Sequence, residues 1–177
     1  MKQDDFDITI TTEVNDKDLH SLYEMLVDAF EGDFSEEDFL HTYGGIRILG
    51  IFNTRVIAHA ALIPRNMLID HQETIVGYVE GFAVASQYQG QGFGKRLIKT
   101  VTELCLDNYT VSMLSTGEHD FYKTFGWMDF QGKSYVMEDG VKIRSADEDS
   151  GLMIRSEEPG KYLQAEIACF ARPGDAW

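Results

Sequence analysis

The chain has 177 residues, of which 30 are acidic and 15 basic, giving a formal charge of −15, and 44% are hydrophobic. A chain of this length buries about 70% of its unfolded surface, so neither a disordered state nor a disulfide framework is called for. The charge sets nucleic acid and anionic membranes aside as partners and suits a cationic one.

Phe6, Ile8 and Ile10 alternate with polar residues, which predicts a half-buried first strand. Leu19, Leu22, Tyr23, Leu26, Val27 and Phe30 follow at helical spacing behind a cap at Asn15 or Asp16, and Gly32 ends that helix. Ser35-Glu36-Glu37-Asp38 resembles a capping box, opening a short helix that Gly44-Gly45 stops. From residue 46 the pattern turns to strands: 46–52 and 55–63 joined at Asn53-Thr54, then 74–84 after the polar turn at residues 70–73. A glycine-rich turn leads into a helix from about Gly92 to Leu106. Beyond it lie a buried strand at 111–114, a short helix at 118–124, a strand at 127–130, a turn at Asp139-Gly140 and a last strand at 163–170. With no repeat, proline-rich linker or low-complexity tract, one α/β domain over 1–177 is expected. Met1-Lys2-Gln3-Asp4-Asp5 is charged and unlike a secretion signal, and no apolar run approaches the ~20 residues that span a bilayer. Cys105 and Cys169 sit among apolar neighbours, as buried free thiols do in a reducing compartment. A cytoplasmic location is expected.

The most informative stretch is Gln89-Gly90-Gln91-Gly92-Phe93-Gly94-Lys95, between a predicted strand and a predicted helix. Glycines there let the backbone turn sharply and approach a ligand, and the first N–H groups of the helix favour an anion. Residues 85–99 contain no carboxylate, although the chain as a whole is strongly acidic. A Walker A loop fails, because Gln89 and Arg96 occupy required positions; a dinucleotide fingerprint fails at Leu97. Gln89, Gly92 and Gly94 resemble the Gln/Arg-x-x-Gly-x-Gly/Ala turn of acetyl-CoA-dependent N-acetyltransferases. A plain glycine-rich turn reads the same way until residues 121–127, Phe-Tyr-Lys-Thr-Phe-Gly-Trp, are added. These resemble the helix–glycine–aromatic segment of the same superfamily.

Further patches narrow the resemblance. Gly32-Asp33-Phe34, Asp38, His41-Thr42 with Gly44-Gly45, Ala58-His59-Ala60-Ala61, Gly77-Tyr78-Val79-Glu80-Gly81 and the closing Gly174-Asp175-Ala176-Trp177 resemble the aminoglycoside 2′-N-acetyltransferases. The resemblance implies the GCN5-related N-acetyltransferase (GNAT) fold: a mixed, mostly antiparallel sheet, splayed between its central strands and flanked by helices. It implies acetyl-CoA as co-substrate, held by Phe82, Ala83, Val84, Gln89, Gly90, Gln91, Gly92, Phe93, Gly94 and Lys95. It implies Glu80 as general base, acting through water, and Tyr122 as the acid that protonates the departing sulfur. It also implies substrate contacts from Asp33, Asp38, Glu80, Gly81, Ser115, Glu148, Asp175 and Trp177 with its carboxylate, and a homodimer. The chemistry agrees: a polycationic acceptor needs carboxylates held in place, and Asp28–Asp38 holds six acidic residues and no basic one. Each acidic run could also be a solvated face, and Asp38 could simply cap its loop. His59 reads as a satisfied core histidine, and no His or Cys spacing makes a metal site. The loop from Ser115 to Tyr122 is about two residues shorter than in that family, which opens kasugamycin beside kanamycin- and gentamicin-type acceptors. Another polyamine or a peptide amine is the alternative acceptor, and a non-catalytic CoA-binding module the third reading.

Overall fold

Residues 5–177 are described by the computed structural model; the charged segment Met1–Asp4 lies outside them. Chain contacts divide the fold into two units, one taking the chain up to Ile63 plus Val79–Val101, the other Pro64–Tyr78 plus Thr102–Trp177.

In the first unit, β1 (Phe6–Thr11) runs antiparallel to β2 (Ile46–Phe52), which runs antiparallel to β3 (Arg55–Ile69). Asn53 and Thr54 both take positive φ, 49° and 63°, as a two-residue hairpin turn requires. α1 (Asp16–Ala29) starts where the Asn15 side chain accepts from the Asp18 N–H, as predicted. It buries Leu22 and Leu26 against Phe34, Leu49 and Ala83. Gly32, at φ 89°, returns its N–H to the Val27 carbonyl and closes that helix. α2 (Glu36–His41) opens on a full capping box: Ser35 Oγ accepts from the Asp38 N–H while the Asp38 carboxylate accepts from the Ser35 N–H. β4 (Gln72–Val84) leads into α3 (Phe93–Asn108). The start of α3 is tied to β1, with the Phe93 ring 4.9 Å from Phe6 and Arg96 donating to the Phe6 carbonyl at 2.8 Å.

The second unit adds β5 (Ser112–Ser115), α4 (His119–Lys123), β6 (Met128–Asp129), β7 (Lys133–Glu138), β8 (Val141–Arg144), β9 (Leu152–Arg155) and β10 (Glu166–Phe170). Its strand order is β6-β9-β5-β4-β3-β10-β7-β8. The ladders are mixed: β4–β5 and β10–β7 are parallel, whereas β5–β9, β6–β9, β10–β3 and β7–β8 are antiparallel. The β4–β5 ladder covers only Gly77–Ser112 and Tyr78–Met113, while Leu114 and Ser115 pair with β9. This short central parallel ladder is the expected splay. Trp127 is buried and donates to Thr102 Oγ1 at 2.9 Å. Cys105 and Cys169 are free and buried, as expected.

Four elements differ from the sequence reading; β7 falls where it placed no strand. β3 continues past Pro64 to Ile69, because an exposed proline interrupts the pattern without ending the strand. β8 is exposed along its whole length, so no alternation marks it. β9 is only four residues, too short to show a period.

Gly45 has no room for a side chain: a Cβ there would stand 2.1 Å from the Leu62 carbonyl oxygen. Gly45→Ala is expected to destabilise the protein by about 3 kcal/mol. Thermal unfolding checks it, with a fall of about 6–12 °C expected.

Candidate functional site

The glycine turn stands in the first unit. Gly90 and Gly92 take φ of 72° and 89°, which side-chain-bearing residues rarely adopt, and a Cβ on Gly90 would meet nothing within 4 Å. The turn is pinned by its glutamines: Gln89 Nε2 donates to the Val84 carbonyl and Gln91 Nε2 to the Gln87 carbonyl, both at 3.0 Å. The Arg96 N–H reaches the Gly92 carbonyl, so the peptide N–H groups just before it head the helix without partners four residues back. No acidic residue lies in the first turn of α3. Phe93 is buried beneath the turn, Gly94 is half-buried and Lys95 is exposed. Phe82 and Val84 are half-buried and Ala83 is buried at the end of β4. The shape, open glycine backbone and absent carboxylates fit a pyrophosphate.

Glu80 is half-buried on β4. Its neighbour Gly81 takes φ 56°, a left-handed residue inside an extended strand, a conformation that glycine adopts readily. Beneath it lies a polar pair within the apolar strands. His59 is fully buried, its Nδ1 2.7 Å from the Gly81 carbonyl oxygen and its Nε2 3.0 Å from Arg47 Nη1. A guanidinium only donates, so Nε2 must accept, and the Nδ1–H therefore donates to Gly81. Burial lowers the His59 pKa to about 3, the Gly81 bond opposing it and the Arg47 charge adding to it. His59 is thus a neutral, satisfied core ring, as its apolar setting implied. Arg47 is also buried, its guanidinium 4.6 Å from the Tyr43 ring centre and 5.4 Å from that of Phe39. Burial lowers its pKa, with Tyr43 acting against it. Sequence reasoning passed over Arg47, although an arginine inside the run Ile46–Phe52 was a visible signal. On the same side of the sequence, Asp33 is exposed and the Asp38 carboxylate serves the capping box.

The remaining candidates stand in the second unit. Tyr122, on α4, is 6% exposed and packs edge-on against Trp127. Burial, with the nearby Glu118 charge, pushes its hydroxyl pKa up, so it holds its proton at neutral pH. Ser115 is exposed at the end of β5. Glu148 is half-buried; burial first, then the charges of Asp175 and Asp147, raise its pKa. The fold thus brings Glu148 and Asp175 into one electrostatic neighbourhood, from positions 27 residues apart. The Asp175 charge adds to the negative potential at Glu148, and Arg172 donates to the Asp175 carbonyl at 2.8 Å beside it. Asp149 is otherwise engaged, accepting from the Ser134 N–H and hydroxyl and pairing with Arg144.

The closing residues are built in rather than draped over the surface. Trp177 is 4% exposed, belongs to the core of this unit, and donates from Nε1 to Ser145 Oγ at 3.0 Å. Its ring therefore offers no open aromatic wall to a ligand. The Trp177 N–H donates to Asp175 Oδ1 at 3.0 Å, and Arg65 Nη2 donates to the Ala176 carbonyl at 2.6 Å. Asp175 is exposed at the end of this brace.

A family profile described as "Acetyltransferase (GNAT) domain" matches residues 11–129. The chain belongs to the GNAT acetyltransferase family. Such a family member is an acyltransferase, and the match runs through both units. Over 173 residues, this GNAT chain is 31% identical to an aminoglycoside 2′-N-acetyltransferase from Mycolicibacterium fortuitum, covering 94% of this chain and 89% of that protein. Among solved structures it resembles the GNAT family N-acetyltransferase YhbS from Escherichia coli, in complex with CoA: TM-score 0.66, 15% identity, covering 93% of this chain and 89% of that one. A Brucella melitensis GNAT acetyltransferase in complex with acetyl-CoA covers 69% of this chain and 83% of its own, with TM-score 0.54 and 20% identity. The chain spans about a third of the length of several longer chains whose folds it also resembles. The fold expected from the glycine turn and the aromatic segment is therefore the fold observed. No helix among the described residues is long and apolar enough to cross a membrane.

The buried tryptophan yields a direct expectation. Trp177→Ala should lower stability by about 3–5 kcal/mol, as large-to-small core substitutions do. Denaturant unfolding of the purified variant measures it.

Proposed function

We propose that this GNAT enzyme transfers acetyl from acetyl-CoA to the 2′-amine of an aminoglycoside, as one acetyltransferase domain. The observation that carries the acceptor is the 31% identity, over 94% of the chain, to a protein named for that activity. The Glu148–Asp175 neighbourhood supports it, since an aminoglycoside is a polycation whose ammonium groups need fixed, partly desolvated carboxylates. Asp33 adds a further exposed carboxylate, whereas Asp38 braces the loop that carries it.

Acetyl-CoA, when bound, supplies an acetyl group activated as a thioester. In this reading the N–H groups around Gly90, Gly92 and Gly94 hold its pyrophosphate, and the backbone of Phe82, Ala83 and Val84 holds its pantetheine arm. Glu80 takes the proton from the acceptor ammonium through a water, leaving a neutral amine able to attack. A backbone N–H near Phe82 steadies negative charge on the carbonyl oxygen. Tyr122 gives its proton to the sulfur as it leaves; a hydroxyl kept protonated by burial suits that task. Gly81 offers its backbone to the sugar, and Ser115 its hydroxyl.

A thiol-release assay with acetyl-CoA and a panel of kanamycin-type, gentamicin-type and kasugamycin acceptors tests this reading. Glu80→Gln is expected to lower turnover about 10²–10⁴-fold with acetyl-CoA binding retained. Tyr122→Phe should slow the chemistry while the ring keeps the core intact. Near-normal rates in both variants, with chemistry rate-limiting, would sink the assigned roles.

The acceptor's affinity should also carry a pH signature. Because the Glu148 pKa is raised, its carboxylate protonates at a higher pH than an ordinary one. Drug affinity should fall as pH drops through that range, and Glu148→Gln should remove this part of the dependence. Calorimetric titrations of both proteins across the range would show it; identical profiles would exclude Glu148 from the site.

A further inference from the structure

We infer that Arg47 and His59 are positioning residues for acetyl transfer: they clamp the Gly81 carbonyl and so set the backbone beside Glu80. This inference rests on the roles proposed above for Glu80 and Gly81. The composition of β2 and β3 is unusual. β2 and β3 are otherwise apolar at their buried positions, yet they spend two of those positions on a guanidinium and an imidazole. Arg47 Nη2 meets no hydrogen-bond partner at good geometry, and Tyr43 is the polar side chain that faces the guanidinium. Well-packed apolar residues of similar volume commonly serve stability as well or better.

The geometry shows what the pair does instead. Arg47 occupies one ring nitrogen of His59 as acceptor, which forces the proton onto the other. That proton meets the carbonyl of the one residue in this stretch of β4 with a left-handed backbone. Gly81 is confined sterically as well: a Cβ there would stand 3.1 Å from Thr42 Cγ2 and 3.4 Å from the His59 ring. At the other end, the guanidinium lies over the rings of Tyr43 and Phe39. Phe39 belongs to α2, which contains Asp38 and follows the loop that carries Asp33. One line of contacts, Phe39/Tyr43–Arg47–His59–Gly81, thus joins the acidic loop to the strand of the proposed base. His59 is fully buried and touches no substrate; it acts through Gly81.

Two measurements on the full chain test it. Nitrogen-15 spectra of the histidine rings, recorded without acceptor, should show His59 as the neutral Nδ1–H form between about pH 5 and 8. An Nε2–H ring, or a charged one, overturns the inference whatever the variants do. Two substitutions then separate the arms of the ring. His59→Asn keeps an N–H where Nδ1 stood, while His59→Gln keeps an oxygen for Arg47 and nothing toward Gly81. The Asn variant should retain kcat within about threefold and the Gln variant lose about 10–100-fold, with the acetyl-CoA KM unchanged in both. Equal losses, or losses that follow melting temperature rather than the retained donor, overturn the positioning role. If the wild type acetylates no aminoglycoside, the acceptor reading alone fails, because the ring spectrum needs no acceptor.

Discussion

A chain of net charge −15 can host a pyrophosphate only where its own carboxylates are kept away, and a polycation only where they are gathered. This segregation of charge governs the arrangement of the rest. The run 85–99 holds no carboxylate, and its glycines present backbone N–H groups, dipoles that attract an anion without adding a mobile charge. The segment 28–38 and the neighbourhood of Glu148 and Asp175 concentrate negative charge instead. Regions of opposite local character thus coexist in one acidic chain without a run of basic residues.

What was legible in the sequence was local. The Asn15 cap, the Ser35–Asp38 box, the Asn53-Thr54 hairpin and the Gln89–Gly94 turn each depend on residues within six positions, so their chemistry is written side by side. Residues whose meaning depends on a distant partner were not legible. Arg47 becomes intelligible only when β3 sets His59 beside it and β4 brings Gly81 to the ring. Pro64 looks like a stop, yet β3 passes through it with the proline exposed. The family resemblance supplied Glu80 and Tyr122 as candidates; spacing alone did not distinguish them from other half-buried acids or core tyrosines.

The end of the chain shows how one side chain can be structural while its neighbour faces solvent. The resemblance makes Trp177 a substrate contact through its carboxylate, and its ring fills the core. The same burial fixes the Trp177 N–H that holds Asp175. The exposed carboxylate is oriented by the N–H of a residue whose indole is packed into the core. The Asp149 network acts similarly for Glu148, tying down Ser134 and Arg144 around the loop that carries it.

The two cysteines have a consequence for the enzyme's own integrity. A thioester acylates any accessible thiolate. Burial pushes the Cys105 thiol up to about 12, and burial raises that of Cys169 as well. Neither is a nucleophile at neutral pH. A protein that handles an activated acyl group over many turnovers therefore carries no thiol poised, among its described residues, to capture that group for itself. For the same reason a thiol-reactive dye added to the folded enzyme should report released CoA against a flat background.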